Sequence, residues 1–118
     1  MRTLAFLIGI ALTTISAAQE SPHDFGGAEP LNPENWITKD DYPVQAKIRG
    51  ITGLVKFQFS IDTAGRANSC FITQSSGNVD LDRTTCQLIV RRGRFRPLRN
   101  DQGEPITTKG RSQVLWTL

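Results

Sequence analysis

The sequence predicts an α+β domain of αββαβ order: a small three-stranded antiparallel sheet with two helices packed on one face, with or without a short extra N-terminal strand. Three observations lead there. Val55, Phe57, Phe59 and Ile61 alternate with Lys56, Gln58 and Ser60, the period of a strand covered on one side only. "DTAG", Asp62 to Gly65, reads as a four-residue hairpin connection into a return strand from about Ala67 to Ser75. Leu81, Cys86, Ile89 and Val90 then form an apolar stripe with helical spacing.

The elements follow in order. Pro43 lacks an amide hydrogen and has a fixed φ, so it suits the first turn of a helix and holds Tyr42 extended. Val44, Ala46, Lys47 and Ile48 supply two turns, and Gly50 sits where a helix stop favours a left-handed residue. Gly53 starts the sheet. On the return strand Cys70 and Ile72 share a face, and "SSGN", Ser75 to Asn78, breaks it. Asn78 or Asp80 caps the second helix, and Asp82 in its first turn favours the helix dipole. Arg91, Arg92 and Arg94 cluster at its C-terminal end, and "FRP", Phe95 to Pro97, stops it. A loop through "NDQGEP" leads to "SQVLWTL", a last strand with Val114, Trp116 and Leu118 on one face.

The ends and the cysteines bound the compartment. Arg2, the apolar run Leu4 to Leu12 and the small residues Ser16-Ala17-Ala18 read as a signal peptide over 1–18, cut between Ala18 and Gln19. Thr13, Thr14 and Ser16 leave the run short of the roughly 20 apolar residues of a spanning helix. An uncleaved inner-membrane anchor facing the periplasm is the rival reading. Residues 19–40 form an acidic, Pro/Gly-rich linker expected to be mostly disordered, with Trp36 and Ile37 as a short strand or a plug against the domain at 41–118. Glu20, Asp24, Glu29, Glu34, Asp40 and Asp41 face a basic remainder, so this leader folds back loosely on the domain. In an exported chain the even pair Cys70 and Cys86 is read as a disulfide, with two free buried thiols as the alternative. Closing a loop of about fifteen residues contributes roughly 3 kcal/mol in the chain-entropy model.

Catalysis has little support. His23 is the one histidine and lies in the linker, and Asp80 and Asp82 flank Leu81 at a helix start, where capping accounts for them. "GNVDLD" lacks the spaced acids and terminal Glu of a calcium loop, and two thiols do not make a zinc site. The sequence therefore implies no enzyme, no cofactor and no metal. Arg91, Arg92, Arg94 and Arg96 are read as a solvated helix end, or as a surface for an anionic envelope polymer; nucleic acid does not fit an exported chain without interleaved aromatics.

Taken together, several motifs resemble the C-terminal domain of the TonB family. They are Tyr42, Pro43 and Ala46; "GxxGxVxFxFxxDxxG" from Gly50 to Gly65; "SSG" at Ser75 to Gly77; Leu81-Asp82; and "RFRP" at Arg94 to Pro97. The resemblance runs from about Asp41 to Leu118. It implies a periplasmic binding module in TonB-dependent transport, meeting segments of outer-membrane transporters (TonB boxes) by strand addition. Carried over by position, the partner-binding edge is Ser112, Gln113, Val114, Leu115, Trp116 and Thr117, approached by Asp41, Tyr42 and Pro43. An open edge also allows a homodimer.

The chain departs from the family pattern as well. Gln19 to Asp41 reaches at most about 80 Å fully extended, short for an anchored energy transducer. Gly93 stands where the family often has an aromatic residue, which is expected to forfeit packing and loosen the helix end. The cysteine pair points to a small disulfide-stabilised branch. Three readings follow: a strand-adding adaptor, a disulfide-locked envelope-binding domain, and an anchored transducer if 1–18 is retained.

Overall fold

A computed structural model describes residues 21–118; the signal peptide expected over 1–18 and the expected cut between Ala18 and Gln19 lie outside the described residues. In chain order the elements are β1 (Glu29–Pro30), α1 (Val44–Ile48), β2 (Gly53–Ile61), β3 (Ala67–Gln74), α2 (Val79–Arg92), β4 (Phe95–Arg96), β5 (Leu98–Arg99), β6 (Pro105–Ile106) and β7 (Thr108–Trp116). The main sheet is antiparallel in the order β3-β2-β7. The αββαβ plan holds, and the short extra strand is present as β1, which pairs with β4.

The inward row of β2 is the floor of the core. Val55, Phe57, Phe59 and Ile61 are each at most 2% exposed, as the alternation demands. Fully burying such side chains contributes roughly 1.5–3 kcal/mol each. α2 covers them with Leu81, Thr85, Leu88 and Ile89, spaced to fall on one helical face. Val90, expected on that stripe, turns out to solvent at 41% exposure. Thr85 takes its place, and its buried hydroxyl is satisfied twice: it donates to Leu81 O and accepts from Trp116 Nε1, both at 2.8 Å. Asn78 is the cap, its Oδ1 accepting from the amides of Asp80 and Leu81. Leu118 lies beyond the end of β7 and is exposed rather than in the row with Trp116.

Cys70 and Cys86 form the disulfide, with Cα atoms 5.5 Å apart. A bulge makes this reach possible. The β2–β3 register shifts between Gln58 and Ser60, where Ser69 adopts a left-handed φ of 52°. One extra residue there lets Ala67 and Cys70, three apart, both face inward.

Gly65 and Gly93 are among the glycines that answer to close approach. Gly65, at φ 80°, ends the hairpin, and a Cβ there would sit 2.0 Å from Phe95 O. Gly93 corrects the expectation of lost packing. A Cβ on it would stand 2.6 Å from Ile89 O and 2.9 Å from the Ala67 Cβ, so the helix end is pressed onto β3 because the residue is small. Its carbonyl accepts from Ala67 N.

The segment expected to be a mostly disordered linker is built into the domain over Ser21 to Asp40. Trp36 is 7% exposed, and its ring lies 5.1 Å from Phe95 and 6.2 Å from Phe25. Phe25 also meets Phe95 at 5.2 Å and Phe59 at 6.3 Å. These aromatics outweigh the ordering cost that the polar, Pro/Gly-rich composition suggested. Charge then fixes the segment. Arg92 Nη1 donates to Asp41 Oδ2 at 2.8 Å and to Trp36 O at 3.1 Å, tying the leader to the end of α2. Arg96 meets Glu29 across the β1–β4 pair at 3.4 Å.

Two carboxylates are held below their ordinary value of 3.8. For Asp41 the Arg92 hydrogen bond dominates over burial, helped by the amide and hydroxyl of Thr38. For Asp82 burial pushes upward but is outweighed by the Ser75 hydroxyl and the amide and hydroxyl of Ser76.

A folded carboxylate with a lowered pKa stabilises fully above its unfolded value and loses that contribution as pH falls through the folded one. Resistance to urea unfolding is therefore expected to decline below about pH 4, the ordinary carboxylate range, and Asp41→Asn or Asp82→Asn is expected to flatten that decline. Gly93→Ala is expected to lower stability by about 1–3 kcal/mol through overpacking; an unchanged unfolding midpoint would contradict the close approach. Reducing the disulfide is expected to cost about 3 kcal/mol, read as the urea midpoint with and without reductant.

Candidate functional site

The sheet has two edges of different quality. The β3 edge is interrupted by two register shifts, one of them at the Ser69 kink, and such bulged edges are poor templates for pairing. β7 instead keeps an unbroken ladder with β2, from Gly53 opposite Trp116 to Ile61 opposite Thr108.

Strand geometry fixes which β7 groups look outward. Arg111 turns away from β2: its N–H donates to Asp24 O at 2.7 Å and its carbonyl accepts from Asp24 N at 2.9 Å. Alternation gives Gln113 and Leu115 the same direction. Neither backbone meets a backbone partner among the described residues. The predicted edge Ser112 to Trp116 thus lies in the second half of β7, with Thr117 just past it. The strand itself begins earlier than expected, at Thr108.

The first half of the edge is occupied by the leader. The Asp24–Arg111 pair is a single antiparallel bridge, backed by a carboxylate–guanidinium contact of 3.8 Å and by Thr108 Oγ1 donating to Gly26 O at 2.9 Å. His23 Nδ1 is hydrogen-bonded to Ser112 Oγ, and its ring stacks at 6.3 Å on Phe25. Gly110 makes room here: a Cβ on it would stand 2.8 Å from the Phe59 ring and 3.4 Å from Asp24 O.

Below the free half of the edge lies a groove of about 380 Å³, lined chiefly by Phe25, Trp36, Ile37, Ile89 and Val114, with His23 and Glu34 also contributing. The predicted approach, Asp41 to Pro43, sits at the far end of β7. Tyr42 packs edge-on against Trp116 at 5.2 Å and donates its hydroxyl to Ile51 O, while Pro43 leads into α1. Asp41 is engaged with Arg92.

The arginine run is divided. Arg92 and Arg96 are spent on the leader's acids, and Arg94 Nη1 donates to Gly93 O. Arg91 and Arg94 line a shallow concavity with Leu31, Asn32, Asn35 and Trp36. Among the described residues no cluster of three or more His, Cys, Asp or Glu could hold a metal ion, and no helix is long and apolar enough to cross a membrane.

Sequence reasoning missed His23, Asp24 and Phe25 as part of this edge. The available signal was the bulky apolar set Phe25, Trp36 and Ile37 in an otherwise polar leader, but spacing alone gave them no position.

The architecture has known counterparts. The solution NMR structure of the Pseudomonas aeruginosa TonB CTD superposes with a TM-score of 0.59 at 24% identity, covering 86% of this chain and 91% of that one, which shows a shared fold. Among curated proteins, none matches the chain. The family described as Gram-negative bacterial TonB protein C-terminal matches residues 38–118, from just before the Tyr42-Pro43 opening through β7. The chain belongs to the TonB C-terminal domain family.

Proposed function

We propose that this chain is a non-catalytic, periplasmic protein-binding module that takes up extended segments of outer-membrane transporters by strand addition to β7. One observation carries the reading: the outward N–H and C=O groups of Gln113 and Leu115 lack backbone partners among the described residues, on the one regular edge of the sheet. Such groups give main-chain affinity of about 0.5–1.5 kcal/mol per hydrogen bond, while alternate side chains supply selection. Family membership gives the partner class, and the disulfide suits an oxidising compartment. The division of the arginines favours this reading over a polymer-binding face, because two of them are already paired with the leader.

The register decides which substitution tests it. Val114 pairs with Val55 and turns its backbone groups inward to β2, so proline there would damage the sheet itself. Leu115 is 65% exposed and directs its N–H outward, so Leu115→Pro removes an edge donor and leaves the β2 ladder intact. Binding of transporter N-terminal peptides by calorimetry is expected to weaken about tenfold or more in Leu115→Pro and to persist at 0.5 M salt. Binding that vanishes with salt and with Arg91→Ala/Arg94→Ala, yet ignores Leu115→Pro, would assign the chain to an anionic envelope surface instead.

A further inference from the structure

The leader does more than cap half of an edge. Its antiparallel alignment, with Asp24 opposite Arg111, sets Phe25 opposite Gly110 and His23 opposite Ser112, and Pro22 then follows without a bond to the Gln113 backbone. Phe25 and His23 therefore project on the inner side of the sheet and Asp24 on the outer side, as in a true added strand. Pro22 has no N–H to offer Gln113, and self-pairing stops there. The next inward position in this row, opposite Val114, is paired with no leader residue among the described residues and opens on the groove of Phe25, Trp36, Ile37 and Val114.

We propose that the leader builds a bounded specificity site: a partner strand continues its track along Gln113 and Leu115 and places one bulky apolar side chain, opposite Val114, in the groove beside His23. This rests on the strand addition proposed above. The occupant is an extended protein segment with alternating chemistry, because two features of the site are continuous with a pairing already present. The free backbone pairs extend the ladder that Asp24 has begun on Arg111. The outer face is cationic: Lys56, Lys109 and Arg111 are exposed there, and Asp24 of the leader is the acid that meets Arg111. An added strand therefore fits best with an apolar residue inward and acidic or hydroxyl residues outward. An all-polar segment would leave the groove unfilled, and a uniformly apolar one would waste its outward side chains on a charged face.

A proline stands at the end of the bridge for the same reason. A residue with an amide at position 22 would add one more self-pair and shorten the site by one partner residue. Pro22 thus works as a stop on the leader, in the way edge prolines limit unwanted pairing elsewhere.

The test uses the full chain and capped threonine heptapeptides, each carrying a single leucine moved through every position, with affinity read by fluorescence anisotropy. Affinity is expected to depend on leucine position, peaking about tenfold above the all-threonine peptide at one inward position. Ile37→Glu, which puts a charge in the groove wall, and Ile37→Trp, which fills it, are each expected to erase that peak, so that every leucine peptide binds the variant no better than the all-threonine peptide binds the same variant. Pro22→Thr is expected to weaken all the peptides several-fold. If leucine position makes no difference while Leu115→Pro still abolishes binding, strand addition stands and the groove proposal falls. If no heptapeptide binds at all, both fall.

Discussion

A three-stranded sheet with one apolar face must find a lid for that face, and here the inward row of β2 sets every other choice. Val55, Phe57, Phe59 and Ile61 are covered at one end by α2 and at the other by the aromatic group of Phe25, Trp36 and Phe95. The disulfide pins the helix to β3, and the Arg92–Asp41 pair pins the leader to the helix. The two covers thus meet at the C-terminal end of α2, where Gly93 lets the chain turn tightly against Ala67. A chain with so small a core leans on such ties, because area burial alone leaves little margin.

This arrangement leaves the two sheet edges unequal. β3 pays for its disulfide with a bulge, which spoils it as a template. β7 stays regular, and among the described residues the leader, needed over Phe59, pairs with it through a single bridge and leaves the second half of the edge unpaired. The same segment therefore completes the core and frames the candidate site. Its inward residues, His23 and Phe25, form one wall of the groove, and its acid neutralises one cation of the outer face.

Much of the domain was legible in the residue order. The alternation of β2, the glycine-ended hairpin at Gly65, the Asn78 cap and the cysteine pair each follow from local chemistry, and the structure bears them out. Where local chemistry was silent, the reading slipped. Residues Thr108 to Arg111 do not look like a strand, since the inward positions Thr108 and Gly110 are small. They can be small because Phe59 and Phe25, distant in sequence, fill the space above them. Thr85 was invisible to an apolar stripe because its burial depends on Trp116. Gly93 looked like a deficit until its approach to Ala67 was known. The leader follows the same logic: its composition is that of a linker, but its aromatic contacts decide where it lies. Of the candidate site, the last strand was foreseen and the groove was not, because the groove needs residues from both ends of the chain.

Amide hydrogen exchange at single-residue resolution reads the β7 edge with no substitution in the chain. The account predicts that the Gln113 and Leu115 amides exchange quickly in the free protein, that the Arg111 amide is slower through its bond to Asp24, and that an added peptide slows Gln113 and Leu115. Slow exchange at both positions in the free protein would mean that the edge is already filled, and would contradict it.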